Sequence, residues 1–275
     1  MSHPLFDLSG RVALVSGAAA GMGRATSIGF AEAGADLMLA DINEEGMEDT
    51  AREIERLGRR AEPVVCDVSN GAQIRAMFAR LDETYGRIDV LANIAGEGGI
   101  NQLPLEITEA GLIQTLNTLV VGRYVCCQEG AKRMIEAGGG SIINIVSIAG
   151  LSALGRGHMS YSIAMGGVAQ MTREMSTEWS SKGVRVNAIV CAQIMNEGLR
   201  KRIDADAKLG DTYLRGIPIG RLGKSEDIQG LAIFLASDAS SWVTGALMPL
   251  DGGNTAKNAG GSHPGQPNAP DEQRY

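Results

Sequence analysis

Short apolar runs alternate along this chain with longer stretches of helical period, and few folds accept that alternation. Repeated strand-helix-strand units lay their strands side by side in a parallel sheet with helices on both faces. The predicted strands are Arg11–Ser16, Asp36–Ala40, Glu62–Cys66, Asp89–Asn93, Ser141–Val146, Arg185–Val190 and Ala246–Leu250. Most are continuous apolar runs, as strands covered on both faces require. Gly21–Ala33, Glu44–Leu57, Gln73–Tyr85, Ala110–Ala137, Met159–Ser181 and Ser225–Ala236 carry the helical period. Gly34, Gly58, Gly86, Gly138 and Gly183 stand at or just past the ends of these stretches as stop signals. The expected fold class is α/β, one doubly wound parallel sheet of about seven strands.

At 275 residues a single core is enough to bury most of the chain's surface. No fixed-period repeat is present, and composition shifts only after Gly253, so 1–253 is expected as one domain and 254–275, rich in Gly, Pro and Asn, as a mobile tail. A net charge of −7 leaves no excess of cations for phosphate backbones and argues against a nucleic-acid partner. Cys66, Cys126, Cys127 and Cys191 show neither CxxC spacing nor disulfide density, which fits free thiols in a reducing cytoplasm and no metal site. No stretch has the length of a membrane span, and the first ten residues lack the pattern of a secretory signal. The expectation is a cytoplasmic chain.

Gly17-Ala-Ala-Ala-Gly21-Met-Gly23 follows the first strand and opens the first helix. Glycines there let backbone N–H groups approach a pyrophosphate at the positive end of the helix. Such turns also occur without a ligand, and Asp41 favours the nucleotide. It stands eighteen residues after Gly23 at the end of the second strand, where a carboxylate accepts hydrogen bonds from an adenosine ribose diol. A 2′-phosphate would be repelled there, and Ala18 to Ala20 offer no cation, so NAD(H) is the expected cofactor. Arg24, one residue past the turn, is a cation placed to reach a phosphate.

Further landmarks follow in order: Cys66-Asp67-Val68 after the third strand, Asn93-Ile-Ala-Gly96 after the fourth, Asn117 in the fourth helix, Ser147 in INIVSIAG, Tyr161 in SYSIAM, and Leu250-Asp-Gly-Gly253. Together with the glycine turn they resemble the classical subgroup of the short-chain dehydrogenase/reductase family, from about Leu8 to Gly253. The resemblance implies a Rossmann-like domain and hydride transfer between a nicotinamide and a carbonyl or carbinol carbon. It implies cofactor contacts at Gly17, Gly21, Met22, Gly23, Asp41, Ile42, Asp67, Val68, Asn93, Ala95, Gly96, Tyr161 and Ile194. Tyr161 would be the proton-transfer group, Ser147 would orient the substrate oxygen, and Asn117 would hold a water. A substrate lid is expected over about 196–223. With Leu151, Leu154 and Met159 its apolar residues suit a partly hydrophobic small molecule. The resemblance further implies a homo-oligomer, dimer or tetramer, packed through the fourth and fifth helices, with Cys126 and Cys127 buried near that interface.

One motif is broken. The family pattern is YxxxK, and Tyr161-Ser-Ile-Ala-Met165 places methionine where the lysine belongs. Residues i and i+4 share a helix face, so a lysine would set its ammonium beside the phenol. Lowering a phenol from near 10 toward 7 takes about 4 kcal/mol of preferential stabilisation of the phenolate, which a thioether does not provide. Cys191-Ala192 likewise replaces the family's Pro-Gly, and Asn196 stands near its threonine. His158 titrates near neutrality and is a candidate proton carrier, with Arg156 as a site for an acidic substrate, whereas Lys182 lies too far along the helix to substitute. The leading expectation is an NAD(H)-dependent oxidoreductase with an atypical or weakened site. The alternatives are a cofactor-binding homologue with little redox activity and a non-redox reaction on the same scaffold.

Overall fold

A computed structural model describes residues 3–96, 102–155 and 157–257. The chain runs β1 (Val12–Ser16), α1 (Gly21–Glu32), β2 (Asp36–Asp41), α2 (Glu44–Arg56), β3 (Ala61–Val65), α3 (Gly71–Tyr85), β4 (Val90–Asn93), α4 (Glu109–Leu116), α5 (Gly122–Glu136), β5 (Gly140–Ser147), α6 (Met159–Trp179), β6 (Val184–Cys191), α7 (Glu197–Ala205), α8 (Ala207–Leu214), α9 (Gln229–Ala236) and β7 (Leu247–Leu250). The strands form one parallel seven-stranded sheet in the order β3-β2-β1-β4-β5-β6-β7, the expected Rossmann-like single domain. The order reverses between β1 and β4, so the loops leaving these two strands diverge and open a crevice at the C-terminal edge of the sheet.

Alternate residues of the strands face opposite layers. Ala13, Val15, Leu37 and Leu39 pack with Phe30 of α1 and Leu235 of α9, whereas Leu14 and Met38 pack with Phe78 of α3 and Met134 of α5. Cys126 and Cys127 belong to this second layer and are buried by their own chain. Among the described residues no helix is long and apolar enough to cross a membrane.

The single helix expected over 110–137 is interrupted. Asn117–Val121 forms a wide turn in which the Asn117 carbonyl accepts the N–H of Gly122, five residues on. Gly122 sits so close to β3's exit loop that a Cβ on it would lie 1.9 Å from the Val68 carbonyl oxygen, and the extra residue in the turn accommodates that approach. The sequence stretch expected as a lid contains α7 and α8, begun by the side-chain caps Asn196 and Asp206. Of the tail, residues 254–257 are described and the remainder lies outside the described residues.

A polar ladder crosses the core. The Asn93 amide donates to Asn144 Oδ1 at 3.0 Å and to Cys127 Sγ at 3.2 Å, and the Asn144 amide donates to Thr172 Oγ1 at 3.1 Å. The Asn93 side chain is therefore turned into the core, where it fastens β4 to β5 and, through Asn144, to α6. Asn144→Ala removes the middle rung and leaves buried polar atoms unpaired, which costs about 1–3 kcal/mol. A denaturant titration should show that loss, and an unchanged unfolding free energy would contradict the role given to the ladder.

Candidate active site

The glycine turn is built by close approach. A Cβ on Gly23 would lie 1.8 Å from the Gly17 carbonyl oxygen, so the first turn of α1 rests directly on the end of β1. Ser16 Oγ accepts the N–H groups of Ile94 and Ala95 at 3.1 and 3.2 Å, which ties the loop after β4 to the same point. Side chains cap α2, α3, α4, α7 and α8, but Ala20 gives α1 none, so its first N–H groups lack a side-chain acceptor. Gly21 has φ +55° and open space where a side chain would project, the nearest atom being Ser225 Oγ at 4.0 Å. Free N–H groups beside an open cradle fit the phosphates of a dinucleotide.

Around that cradle, Asp41 Oδ2 accepts the Ala19 N–H at 3.1 Å and Oδ1 accepts that of Asn43 at 3.0 Å, so the carboxylate is fixed at the rim of the turn. Arg24 is paired with Glu53 of α2. Ile42 is largely exposed beside Asp41, and Val68 is buried. Asp67 Oδ1 accepts the Ser69 N–H at 2.8 Å.

Ser147 ends β5 opposite Cys191 of β6, and Tyr161 lies in the first turn of α6. The two elements meet through Gly150, where a Cβ would lie 2.6 Å from the Met165 carbonyl carbon. The Ser147 hydroxyl is near enough to the Tyr161 phenol to act on its ionisation. Ser147 Oγ accepts the Ala149 N–H at 3.2 Å, which leaves its own proton for the phenol oxygen. Burial pushes the phenol above its ordinary value of 10.0; the Ser147 hydroxyl and then the Arg123 charge pull it down, while Cys191 acts upward.

Met165 is buried, and its sulfur lies 3.9 Å from Nη1 of Arg123. Arg123, in the first turn of α5, is only 4% exposed. Its Nη1 donates to the Leu119 carbonyl at 3.4 Å and its Nη2 to the Ala95 carbonyl at 3.1 Å, while Nε has no partner. Neither Arg123 nor Leu119 is among the site residues expected from sequence; a lone arginine within the apolar stretch LVVGRYVCC is the signal that marks the first. Leu119 belongs to the buried cluster against which Tyr161 packs. Asn117 does not join it. The wide turn leaves Asn117 on the exposed side, its side chain donating to the Ser69 carbonyl at 3.0 Å.

Ile194 forms a bridge to Gly223, and with Gln193 and Met195 it pins the end of the lid segment against β6. A cavity of about 190 Å³ opens there, lined by Ala192, Ile194, Ile217, Leu250 and Asp251 among others; Ser147 and Tyr161 are not in its wall. Asn196 accepts the Leu199 N–H at 2.7 Å as the cap of α7. His158 precedes α6, its carbonyl accepting the Ser162 N–H at 2.8 Å, and Arg156 lies outside the described residues. Among the described residues no group of three or more His, Cys, Asp or Glu is placed to hold a metal ion.

A family model described as enoyl-(acyl carrier protein) reductase matches residues 17–255. A D-threitol dehydrogenase of Mycolicibacterium smegmatis is 37% identical over 257 residues, 92% of this chain and 95% of that protein. An NAD-dependent glycerol dehydrogenase of Listeria innocua is 33% identical over 252 residues, 92% of this chain and 96% of that one. Among solved structures, a gluconate 5-dehydrogenase of Burkholderia cenocepacia in complex with NADP and tartrate matches with a TM-score of 0.87 at 32% identity, covering 93% of this chain and 99% of that one.

The Ser147 hydroxyl favours the ionised phenol. Ser147→Ala should therefore move the Tyr161 titration upward, read as the difference in ultraviolet phenolate absorbance between each protein and its Tyr161→Phe counterpart. An unmoved midpoint would contradict that influence.

Proposed function

The chain belongs to the short-chain dehydrogenase/reductase family, and we propose that it is an NAD(H)-dependent oxidoreductase that interconverts a secondary alcohol and a ketone. The observation that carries this reading is that Ser147 and Tyr161 are brought together at the same sheet edge as the open, uncapped start of α1. A bound nicotinamide cofactor supplies the hydride acceptor in oxidation and the hydride donor in reduction. In oxidation the Tyr161 phenolate takes the proton of the alcohol O–H, and in reduction the phenol returns it to the carbonyl oxygen. Ser147 donates to the same oxygen and fixes its distance from Tyr161.

Asp41 and the glycine turn support NAD(H) as the cofactor. Each Asp41 oxygen accepts one backbone N–H and retains a lone pair for a ribose hydroxyl, and its charge repels a 2′-phosphate. Arg24, the nearest cation in sequence, is occupied by Glu53. Gly17, Gly21, Met22 and Gly23 would meet the phosphates, Ile42, Asp67 and Val68 the adenosine, and Ala95, Gly96, Tyr161 and Ile194 the nicotinamide half. Residues 196–223 would cover the substrate. Exposed Leu151 and Met159 near Tyr161 support a partly apolar substrate, while two relatives named for polyols place D-threitol and glycerol on the panel to be tested. Exposed Ile113, Val121, Tyr124 and Ile163 form an apolar face across α4 to α6 that supports a homo-oligomer, and four buried thiols suit a reducing cytoplasm.

The test is turnover of small polyols and apolar secondary alcohols with NAD⁺. Tyr161→Phe should lower kcat/KM by about 10²–10⁴-fold while NAD⁺ binding, read by calorimetry, is retained. Because oxidation needs the phenolate, its rate should rise with pH through the Tyr161 titration, and ketone reduction should fall over the same range. Asp41→Ser should raise affinity for NADP⁺ relative to NAD⁺ by about tenfold, equivalent to 1.4 kcal/mol. Tighter binding of NADP⁺ than of NAD⁺ by the unaltered protein would overturn the part given to Asp41.

A further inference from the structure

Helix α5 carries a full charge where a core helix ordinarily carries none. Arg123 is buried, its guanidinium is held by two backbone carbonyls, and its Nε is left without a partner. Desolvation disfavours that charge, and an apolar side chain of similar volume would fill the space without the penalty. Among the described residues, the ionisable groups acting on the guanidinium are Tyr161, Cys127 and Cys126, and no carboxylate is among them. Burial pushes the Cys127 thiol up to about 12 and that of Cys126 upward too, so both stay neutral around pH 7. Among the described residues, Tyr161 is the remaining group that can meet Arg123 with a negative charge.

From the side of the phenol, the groups acting on it are Ser147 from β5, Arg123 from α5 and Cys191 from β6. The Cys191 thiol is also pushed up to about 12 and is neutral, and Ser147 is a neutral donor. Among the described residues, Arg123 is thus the charged group that bears on Tyr161. It also occupies the right place, since its Nη1 meets the sulfur of Met165 at 3.9 Å, the side chain that stands where the family motif has lysine. We infer that Arg123 supplies from α5 the positive charge that a lysine at 165 would supply from α6, the cation having moved between helices while the phenol stayed. This rests on the proposed proton-transfer role of Tyr161. Arg123 gives and takes no proton itself; it is a positioning residue that stabilises the phenolate formed when the proton returns to solvent, and so readies Tyr161 to accept the alcohol proton. Met165 is its complement, because a lysine there would set two cations about 4 Å apart and raise the energy of both.

The test is a cycle of Arg123→Met, Met165→Lys and the double variant, with Arg123→Lys beside them, all checked for folding by circular dichroism. Phenolate absorbance of each protein with NAD⁺ bound, against its Tyr161→Phe counterpart, reads the Tyr161 midpoint without turnover. Arg123→Met should raise the midpoint by a unit or more and lower kcat/KM for oxidation at pH 7 by about tenfold per unit, the loss being recovered at higher pH. Arg123→Lys should retain a midpoint nearer that of the unaltered protein. Met165→Lys alone should lower thermal stability and bring no gain in rate, whereas in the Arg123→Met background it should restore both midpoint and rate. If Arg123→Met does not fold, the contrast between Met165→Lys alone and Arg123→Lys decides, and a rate gain in Met165→Lys alone overturns the inference. An unmoved phenol midpoint in folded Arg123→Met, or a rate loss equal at every pH, also overturns it. A midpoint that moves in a protein turning over no alcohol with either nicotinamide cofactor would leave the charge coupling standing and remove the proposed function. Turnover that needs Tyr161 but ignores Arg123 would do the reverse.

Discussion

The Gly17 carbonyl oxygen occupies the place where a side chain on Gly23 would have to be, 1.8 Å from its Cβ position, and the working edge of the molecule is organised by that contact. It seats the first turn of α1 on β1 and aims its uncapped N–H groups into the crevice. Gly17 in turn abuts the loop after β4, where a Cβ would come 2.9 Å from the Ala95 N. Ser16 holds that loop by two N–H groups, and the Ala95 carbonyl holds Nη2 of Arg123. An unbroken series of contacts therefore links the glycine turn to the buried cation. A shift at the glycine turn would be felt at Arg123, because close-packed backbone has no slack to absorb it.

Arginine suits that buried position better than lysine for a physical reason. An ammonium is a compact point charge, while a guanidinium spreads its charge over several donors in a fixed plane. Two of the Arg123 donors reach carbonyls on different elements, Leu119 in the wide turn and Ala95 after β4, so the group is oriented without a carboxylate to cancel its field. The wide turn between α4 and α5 has a direct part in this. It brings Leu119 into the buried cluster and offers the Leu119 carbonyl to the guanidinium, while Asn117 is left outside.

Most of the fold was legible in the sequence, because both-sided burial writes itself as continuous apolar strands and helices of period 3.6. All seven strands and their single sheet follow from that pattern, with no end displaced by more than one residue. The interruption at Asn117–Val121 was not legible, since it answers the pressure of Gly122 on the Val68 carbonyl, a contact between segments far apart in the chain. The same holds within the site. Ser147 and Tyr161 are found by local motif, and they do meet. Asn93 and Asn117 also match local motifs, yet one is drawn into a ladder with Asn144 and the other turned to Ser69, because partners from other elements decide where an amide points. Arg123 belongs to no motif, and its proximity to Met165 spans 42 residues of sequence.

That distance changes how the departures from the family pattern are understood. Taken singly, methionine at 165 reads as a cation missing from the motif, and leucine at 119 belongs to no motif at all. In the folded chain the Met165 sulfur and the Leu119 carbonyl both adjoin the Arg123 guanidinium. Apolar walls lower the local polarisability, and a charge enclosed by them acts on a neighbouring phenol more strongly than the same charge open to water. The thioether that removes one cation thus helps to shelter the other. On this reasoning the energetic consequences of positions 123 and 165 are not additive, and neither residue has a meaning for the chemistry apart from the other.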